Sequence, residues 1–287
     1  PGSTSSARSR ARTGSSATTA VAVHRTYRGD RIRSKLQRSN AEQAILNRKG
    51  RAICVYEIQG NLFFATMERL LRQLAADIDS ASFIIFDFKR VLEIDDCALT
   101  LLVQLRGTLT AQDKKLILAH LPQADSAYLQ HRTAPPWGTD SIFADSDAAL
   151  EWCESQLIAE ETPAMRWTNA PVPIAAMDIV AGLDAAEIAL LESVLVKRHY
   201  GARDKIIHEG DSADSLFLLA AGSVSVFLNL TNGARGKRLS SLSPGLAFGE
   251  LSLLDGRARS ADVVADMPVV CYALSLEKLN ALALDHP

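Results

Sequence analysis

The residues with the clearest chemical pattern lie close together in Phe248–Ala261, which reads FGELSLLDGRARSA. Gly249 permits a close approach of the backbone to a ligand, and Glu250 offers a hydrogen-bond acceptor beside it. Arg259 can hold a phosphate with two parallel charge-assisted hydrogen bonds, and Ser260 adds a hydroxyl. These residue types within one short segment predict an anion-binding site.

A short helical turn must position these groups. Leu251, Leu253 and Leu254 have the spacing of a turn that is anchored by apolar side chains. The first turn of a helix has free backbone N–H groups, so the amides near Leu251 and Ser252 suit an anion. A carboxylate, a helical turn and an arginine together predict a site for a ribose phosphate.

Other kinds of chemistry have little support in the sequence. The four cysteines lie far apart, without the Cys/His spacing of a metal site, and we expect free thiols and no bound metal. No nucleophile–base pair or pair of carboxylates has a recognisable catalytic spacing, so no catalytic residue is predicted. Gly233–Lys237 (GARGK) lacks the spacing of a phosphate-binding loop and is interpreted as a solvated turn.

The composition is that of an ordinary globular protein, with 287 residues, 47% hydrophobic residues and a formal net charge of −2. Apolar runs such as Leu216–Ala221 are far shorter than the roughly 20 residues that span a membrane. Residues 1–40 hold nine lysines and arginines but one acidic residue. We interpret this arm as a solvated linker and expect no nucleic-acid partner.

Apolar residues alternate between strand-like and helix-like patterns from residue 51 to residue 158. A helical stripe is formed by Met67, Leu70, Leu71, Leu74 and Ile78. Phe83–Phe88 and Lys115–His120 are nearly all apolar, which is typical of strands buried on both faces. Ala148–Ile158 is a predicted helix with Asp145 or Ser146 as its N-cap. This alternation predicts a small α/β domain with parallel strand pairing.

The pattern beyond residue 200 changes to short strands separated by glycine turns. The predicted strands are Lys205–His208, Leu216–Leu219, Ser223–Leu230, Arg238–Leu242, Val263–Val264 and Val269–Leu274. Thr231–Gly233 is a hairpin signal. Helical patterns flank this region at Leu183–Val196 and Leu276–Leu284. The second half is therefore predicted to be a small antiparallel barrel or sandwich with flanking helices.

The segment FGELSLLDGRARSA resembles the phosphate-binding cassette of cyclic nucleotide-binding domains, and KIIHEGD and SLFLLAAG resemble strands of that family. The resemblance implies that cAMP or cGMP is the ligand. Glu250 would accept a hydrogen bond from the ribose 2′-hydroxyl. Arg259 would pair with the cyclic phosphate, assisted by Ser260 and the amides near Leu251 and Ser252. Ala258 stands where many members have proline.

The first half resembles the STAS domain, through VYEIQGNLFF and FIIFDFKRVLEIDDCAL. Asp95 matches the family's aspartate, and Cys97 falls where the phosphorylated serine of the anti-sigma-factor antagonists aligns. We therefore expect no phosphorylation switch at that residue. Asp95 and Asp96 are interpreted as helix-capping residues.

The expected architecture is an α+β multidomain chain in which a small STAS-like α/β sandwich precedes a cyclic-nucleotide-binding β-barrel (jelly roll). The predicted divisions are a disordered basic linker (1–50), the STAS-like domain (51–158), a linker (159–178) and the cyclic nucleotide-binding domain (179–287). The family continues into a further helix, so the last domain is expected to be truncated.

This domain order resembles the C-terminal regulatory region of some bacterial glutaminases and the cytoplasmic tail of SulP-type anion transporters. The segments GDRIRSKLQR and ALEWCESQLI favour the glutaminase arrangement. We therefore expect a cytoplasmic sensory module attached to a catalytic domain, or on the cytoplasmic side of a membrane protein, that could form a homo-oligomer. A cyclic-nucleotide-dependent transcription regulator is the other alternative.

Overall fold

The computed structural model describes residues 23–162, 170–229 and 236–285. The regular elements up to residue 162 are β1 (Val23–Arg28), β2 (Leu36–Gln37), α1 (Asn40–Lys49), β3 (Ile53–Leu62), α2 (Phe64–Asp77), β4 (Phe83–Ile94), α3 (Asp96–Thr110), β5 (Lys115–Ala119), α4 (Gln123–Arg132), β6 (Ile142–Phe143) and α5 (Ser146–Glu161). Those that follow are α6 (Ala185–Val194), β7 (Val196–Tyr200), β8 (Lys205–Ile207), β9 (Ser215–Ala221), β10 (Val224–Leu228), β11 (Lys237–Leu242), β12 (Ala247–Phe248), α7 (Glu250–Asp255), β13 (Asp262–Ala265), β14 (Val269–Ser275) and α8 (Leu276–Asp285).

The first sheet has the order β1-β3-β4-β5-β6, and β3 to β6 are parallel as the sequence pattern predicts. Its two faces are both covered. Phe86 and Tyr56 are buried in the core cluster that includes α2 and α3, and Ile85 and Val55 in the cluster that includes α1 and α5. Covering both faces explains why the central strands are nearly continuous apolar runs.

Side-chain caps fix where two of these helices begin. The Asp95 carboxylate accepts a hydrogen bond from the Ala98 amide at 2.7 Å, and the Asp145 carboxylate accepts one from the Ala148 amide at 2.8 Å. Both caps are among those predicted from the sequence, and each satisfies an N–H group that a helix leaves unpaired in its first turn. Cys97 lies exposed in the first turn of α3.

The predicted disordered linker over residues 1–50 is wrong for residues 23–50, while residues 1–22 lie outside the described chain. Strand β1 pairs antiparallel with β3, from Val23 opposite Ile58 to Arg28 opposite Cys54. Helix α1 begins at a capping box and buries Leu46. The polar sequence of β1 (VHRTYR) conceals the strand because it is at the sheet edge with an exposed face.

The second domain is a sandwich of two sheets, with orders β2-β11-β10-β13-β8 and β12-β9-β14-β7. Side chains from both sheets meet in one core, which includes Ile207 and Val263 from the first and Leu219 and Cys271 from the second. The sequence predicted an antiparallel barrel or sandwich, and the structure is a sandwich. One of its pairings is parallel. It joins β11 to β2, a strand from the N-terminal part of the chain.

The predicted linker over residues 159–178 is shorter in the structure. Helix α5 runs to Glu161, and residues 163–169 lie outside the described chain. Ile174 and Met177 are buried against Leu216 and Leu274 of the second domain. Residues 170–178 therefore belong to the packing of that domain.

The hairpin signal Thr231–Gly233 and most of the GARGK segment also lie outside the described residues. The flanking strands are described, and β10 pairs antiparallel with β11 from Val224 opposite Leu242 to Leu228 opposite Lys237. Each helix in the described parts of the chain is too short or too polar to cross a bilayer.

Candidate functional site

The turn between β12 and α7 positions the predicted site. Gly249 has φ +83° and precedes the first residue of α7, and Gly256, with φ +63°, follows the last. A Cβ atom on Gly249 would stand 2.9 Å from Nη1 of Arg259 and 3.0 Å from Ile207. The position therefore needs glycine both for its left-handed backbone and for the space taken by the arginine.

Arg259 is held in place almost entirely by backbone groups. Its side chain is only 5% exposed. Nη1 donates to the carbonyl of Gly249 at 2.6 Å, and Nη2 donates to the carbonyl of Ser215. The Arg259 amide donates to the carbonyl of Asp211 at 2.9 Å, and its own carbonyl accepts from the Gly210 amide at 2.8 Å. The guanidinium is thus fixed beside the start of α7.

Among the described residues, the positive charge of Arg259 is balanced by one long ion pair. The nearest ion-pair partner is Asp214 at 4.0 Å, and that side chain is 81% exposed. Burial lowers the pKa of the Arg259 guanidinium, and the charges of Asp214, Asp211 and Glu250 only partly oppose this effect. Carbonyl partners are neutral, so they do not neutralise the charge of a buried guanidinium. A bound phosphate would supply the negative charge.

Glu250 lies near enough to act electrostatically on Arg259, and its carboxylate makes no hydrogen bond or ion pair to any described residue. It is partly exposed at the first position of α7. Among the described residues, the structure therefore brings Gly249, Glu250 and Arg259 together. The free carboxylate beside the fixed guanidinium could accept a hydrogen bond from a hydroxyl.

The remaining predicted site residues have different environments. Ser252 is 7% exposed, whereas Leu251 is 64% exposed and Ser260 is also exposed. Leu251 therefore does not anchor the turn on the sandwich, in contrast to what its spacing predicts. Its amide remains in the first turn of α7, where backbone N–H groups are free of intrahelical partners.

Sequence reasoning gave no role to the residues that hold Arg259. Ser215 supplies a carbonyl, Asp214 the nearest carboxylate, and Asp211 the backbone acceptor. Contacts made by backbone carbonyls cannot be predicted from the residue type, since every residue has a carbonyl. The available signal was the family resemblance of KIIHEGD, which ends at Asp211, and of SLFLLAAG, which begins at Ser215.

Two sequence families match this chain in separate regions. The family described as "STAS domain" matches residues 43–131. The family described as "Cyclic nucleotide-binding domain" matches residues 197–286, which include the Gly249–Arg259 site. The chain is a STAS domain followed by a cyclic nucleotide-binding domain. This assignment agrees with the parallel α/β sheet and the β-sandwich described above.

Relatives of the combined STAS and cyclic nucleotide-binding region include a protein named glutaminase 2 from Bradyrhizobium diazoefficiens. It is 35% identical over 258 residues, which are 89% of this chain and 40% of that protein. Glutaminase 1 of the same organism is 29% identical over 256 residues, again 40% of its length. The chain thus spans about two fifths of the glutaminases that it matches.

Relatives that cover a smaller part of this chain include regulators. The cyclic AMP receptor protein of Thermus thermophilus is 38% identical over 101 residues, or 35% of this chain and 46% of that protein. The solved structure of the Thermus thermophilus catabolite activator protein matches with 36% identity and a TM-score of 0.35, covering 37% of this chain and 50% of the other.

No group of three or more His, Cys, Asp or Glu side chains suited to a metal ion occurs among residues 23–162, 170–229 and 236–285. All four cysteines lie among the described residues and form no disulfide bond there. Burial raises the pKa of the Cys271 thiol to about 12, so this thiol stays protonated in the sandwich core.

Proposed function

We propose that this cyclic nucleotide-binding regulatory module takes cAMP or cGMP at the turn before α7 and controls a catalytic module attached to the chain. The ligand's cyclic phosphate binds Arg259, with Ser260 and the amides near Leu251 and Ser252 as further donors. Glu250 accepts a hydrogen bond from the ribose 2′-hydroxyl. Gly249 keeps the backbone close to both groups.

The observation that carries this proposal is the state of Arg259. Its guanidinium is buried and rigidly held, yet its partners are carbonyls and its nearest carboxylate is 4.0 Å away. An arginine that already has its orientation loses little side-chain entropy when a phosphate arrives. The site would therefore attract the phosphate electrostatically, with an arginine that is already oriented before the ligand binds.

Binding can act as a signal only if the ligand favours one of two states of the domain. Helix α7 follows the ligand-binding turn directly, and α8 lies beyond β14, with Lys278 Nζ donating to the Val194 carbonyl of α6 at 3.1 Å. We propose that the nucleotide draws in α7 and repositions α8. The contact between α8 and α6 would change as a result.

The attached effector is proposed to be of the glutaminase type. The alignment with glutaminase 2 runs through both domains and covers 89% of this chain, whereas the alignment with the cyclic AMP receptor protein covers 35%. The upstream reading frame tests this proposal. A domain that carries S-x-x-K would support it, and repeated apolar segments of about 20 residues would instead indicate a transporter.

Isothermal titration calorimetry with cAMP and with cGMP tests the binding site. Arg259→Gln should lower the affinity about 30-fold or more, because removing one partner of a buried charge pair costs about 2–5 kcal/mol. Arg257→Gln, an exposed arginine of the same loop, is the matched control and should bind like the wild type. Undiminished affinity in Arg259→Gln would refute the site, and a wild type that binds neither nucleotide would refute the function.

The role of Glu250 can be separated from that of Arg259 with 2′-deoxy-cAMP. Glu250→Gln should weaken cAMP binding about tenfold, in line with the loss of a hydrogen bond to a charged group. The 2′-deoxy analogue should bind the wild type and Glu250→Gln equally, since it lacks the hydroxyl that Glu250 recognises. A penalty of the same size for both ligands would contradict this role.

A further inference from the structure

A second cleft lies in the STAS domain, beside the middle of β3 and β4, the carboxyl end of β5 and the start of α5. Its volume is about 680 Å³, which is within the range of small-molecule sites. It is lined by Lys35, Glu57, Asp87, Lys89, Arg90, His120, Asp145, Ser146 and Asp147. Neither the proposed nucleotide site nor its mechanism uses this cleft.

The cleft is built around a buried carboxylate. Asp87 is 8% exposed, and its Oδ1 lies 2.9 Å from Nδ1 of His120 and accepts from the Lys89 amide at 2.9 Å. Its Oδ2 accepts from the Ser146 hydroxyl at 2.5 Å. The carboxylate is thus fully occupied in orienting its neighbours. With Nδ1 of His120 directed at Asp87, Nε2 is the ring nitrogen left for a ligand.

A β-bulge turns Arg90 into the cleft. Glu57 of β3 is opposite Asp87 of β4, but Gln59 is opposite Arg90, so two residues of β4 face one residue of β3. This extra residue shifts the alternation of side chains by one. Arg90 consequently lines the cleft with Asp87 and Glu57, where an unbroken strand would place it on the opposite face.

Charges of both signs converge here, and Glu57 lies opposite Arg25 of β1, with which it interacts electrostatically. Within the described chain, neither Lys89 nor Arg90 forms an ion pair, and the Glu57 carboxylate accepts no hydrogen bond. The lining residues include no aliphatic side chain and no Phe, Tyr or Trp, and this does not suit an acyl chain. The occupant that matches such walls is small, polar and charged at both ends.

We infer that this cleft binds a zwitterionic small molecule of the amino-acid class. Its carboxylate pairs with Arg90 and Lys89, and the Nε2 side of His120 contributes a polar contact. Its ammonium group pairs with Glu57 on the neighbouring strand. The STAS domain would then sense a small metabolite while the second domain senses a nucleotide.

Calorimetry on the full chain tests this inference with L-glutamate, L-glutamine and L-lysine. Each is compared with its analogue without the α-amino group, namely glutarate, glutaramate and 6-aminohexanoate. At least one amino acid should bind with a dissociation constant below about 1 mM and about tenfold or more tighter than its analogue. Inorganic phosphate should bind more weakly than that amino acid.

Two variants assign the contacts. Arg90→Gln should lower the affinity for the bound amino acid about tenfold or more, and Glu57→Gln should abolish the preference over the analogue. Arg72→Gln is the control, because that exposed arginine pairs with Glu68 on α2, outside the cleft. Circular dichroism verifies that each variant is folded. The inference is overturned if none of the three amino acids binds, or if analogue or phosphate binds the wild type as tightly.

Discussion

At the scale of single residues, two buried charges of the second domain have opposite kinds of partner. Asp262, 4% exposed, accepts hydrogen bonds from the Glu209 amide at 2.8 Å and from the Asn229 side chain at 3.0 Å, and pairs with Lys205 at 2.8 Å. Arg259 has carbonyl partners and a distant carboxylate. The first arrangement supplies hydrogen bonds and a counter-charge, while the second supplies mainly neutral carbonyl partners.

Asp262 makes the stability of the domain dependent on pH. Burial alone would raise the pKa of its carboxyl, but the hydrogen bonds from Lys205, Glu209 and Asn229 outweigh burial and lower that pKa below its ordinary value. A lowered pKa stabilises the fold at pH values above the unfolded-state pKa, near 4, and this contribution disappears as the pH falls through the folded-state pKa.

Asp262→Asn should therefore reduce the free energy of unfolding at pH 7 by about 1–3 kcal/mol, the usual cost of losing hydrogen bonds to a buried charge. The difference from the wild type should shrink steadily below pH 4, because a protonated Asp262 resembles asparagine. Urea denaturation at several pH values measures it. Asp79→Asn, at an exposed position, should show no such dependence. A difference that is constant with pH would contradict the assignment.

At the scale of elements, α7 is a six-residue helix with a left-handed glycine on each side. The two glycines have different surroundings. A Cβ on Gly249 would approach Arg259 to 2.9 Å, whereas one on Gly256 would meet no atom within 4 Å. The turn before α7 is thus packed against Arg259, and the turn after it is open.

Alanine at these two positions separates backbone strain from displacement of the arginine. Both Gly249→Ala and Gly256→Ala should cost about 1 kcal/mol or more of stability, because alanine disfavours positive φ. Only Gly249→Ala should also lower cyclic nucleotide affinity, by about tenfold or more, since Arg259 must move. Thermal denaturation and calorimetry measure the two effects. Equal affinities in the two variants would show that the packing at Gly249 is irrelevant to binding.

At the scale of the whole molecule, the N-terminal segment connects the two domains. Strand β2 adds to the second domain's sheet, where the Ser243 amide donates to the Gln37 carbonyl at 3.0 Å. Arg238 of β11 bonds Asp147 of α5 at 2.6 Å, and the Ser243 hydroxyl bonds Glu42 of α1 at 2.5 Å. Because Asp147 also lines the STAS cleft, one residue touches both the cleft and the interface.

Arg238→Ala should loosen the contact between the domains without unfolding either. The amides of Ser241 and Ser243, which donate to carbonyls of the β2 segment, should exchange with deuterium about tenfold faster or more, since the lost ion pair is partly buried. Arg198→Ala, on the exposed face of β7, is the control. Unchanged exchange at both amides would mean that Arg238 does not hold the interface.

Features set within about ten residues of sequence were predictable. The stripe of α2, the apolar runs of β4 and β5, and the caps at Asp95 and Asp145 follow from local spacing and residue type. The cassette from Gly249 to Arg259 is also local, since its carboxylate, turn and arginine lie within one loop. Local periodicity and capping depend on neighbours in the chain, so they can be predicted from the sequence.

Only the tertiary structure determined the features that join distant segments. The antiparallel addition of β1, the crossing of β2 into the second sheet and the carbonyl of Ser215 that fixes Arg259 all depend on backbone groups, which every residue type offers alike. The bulge that directs Arg90 into the STAS cleft depends on the register between strands. The sequence by itself thus determined which domains form, and it placed the predicted nucleotide-site residues in one loop. Packing over long sequence separations decided how that arginine is held and where a second ligand could bind.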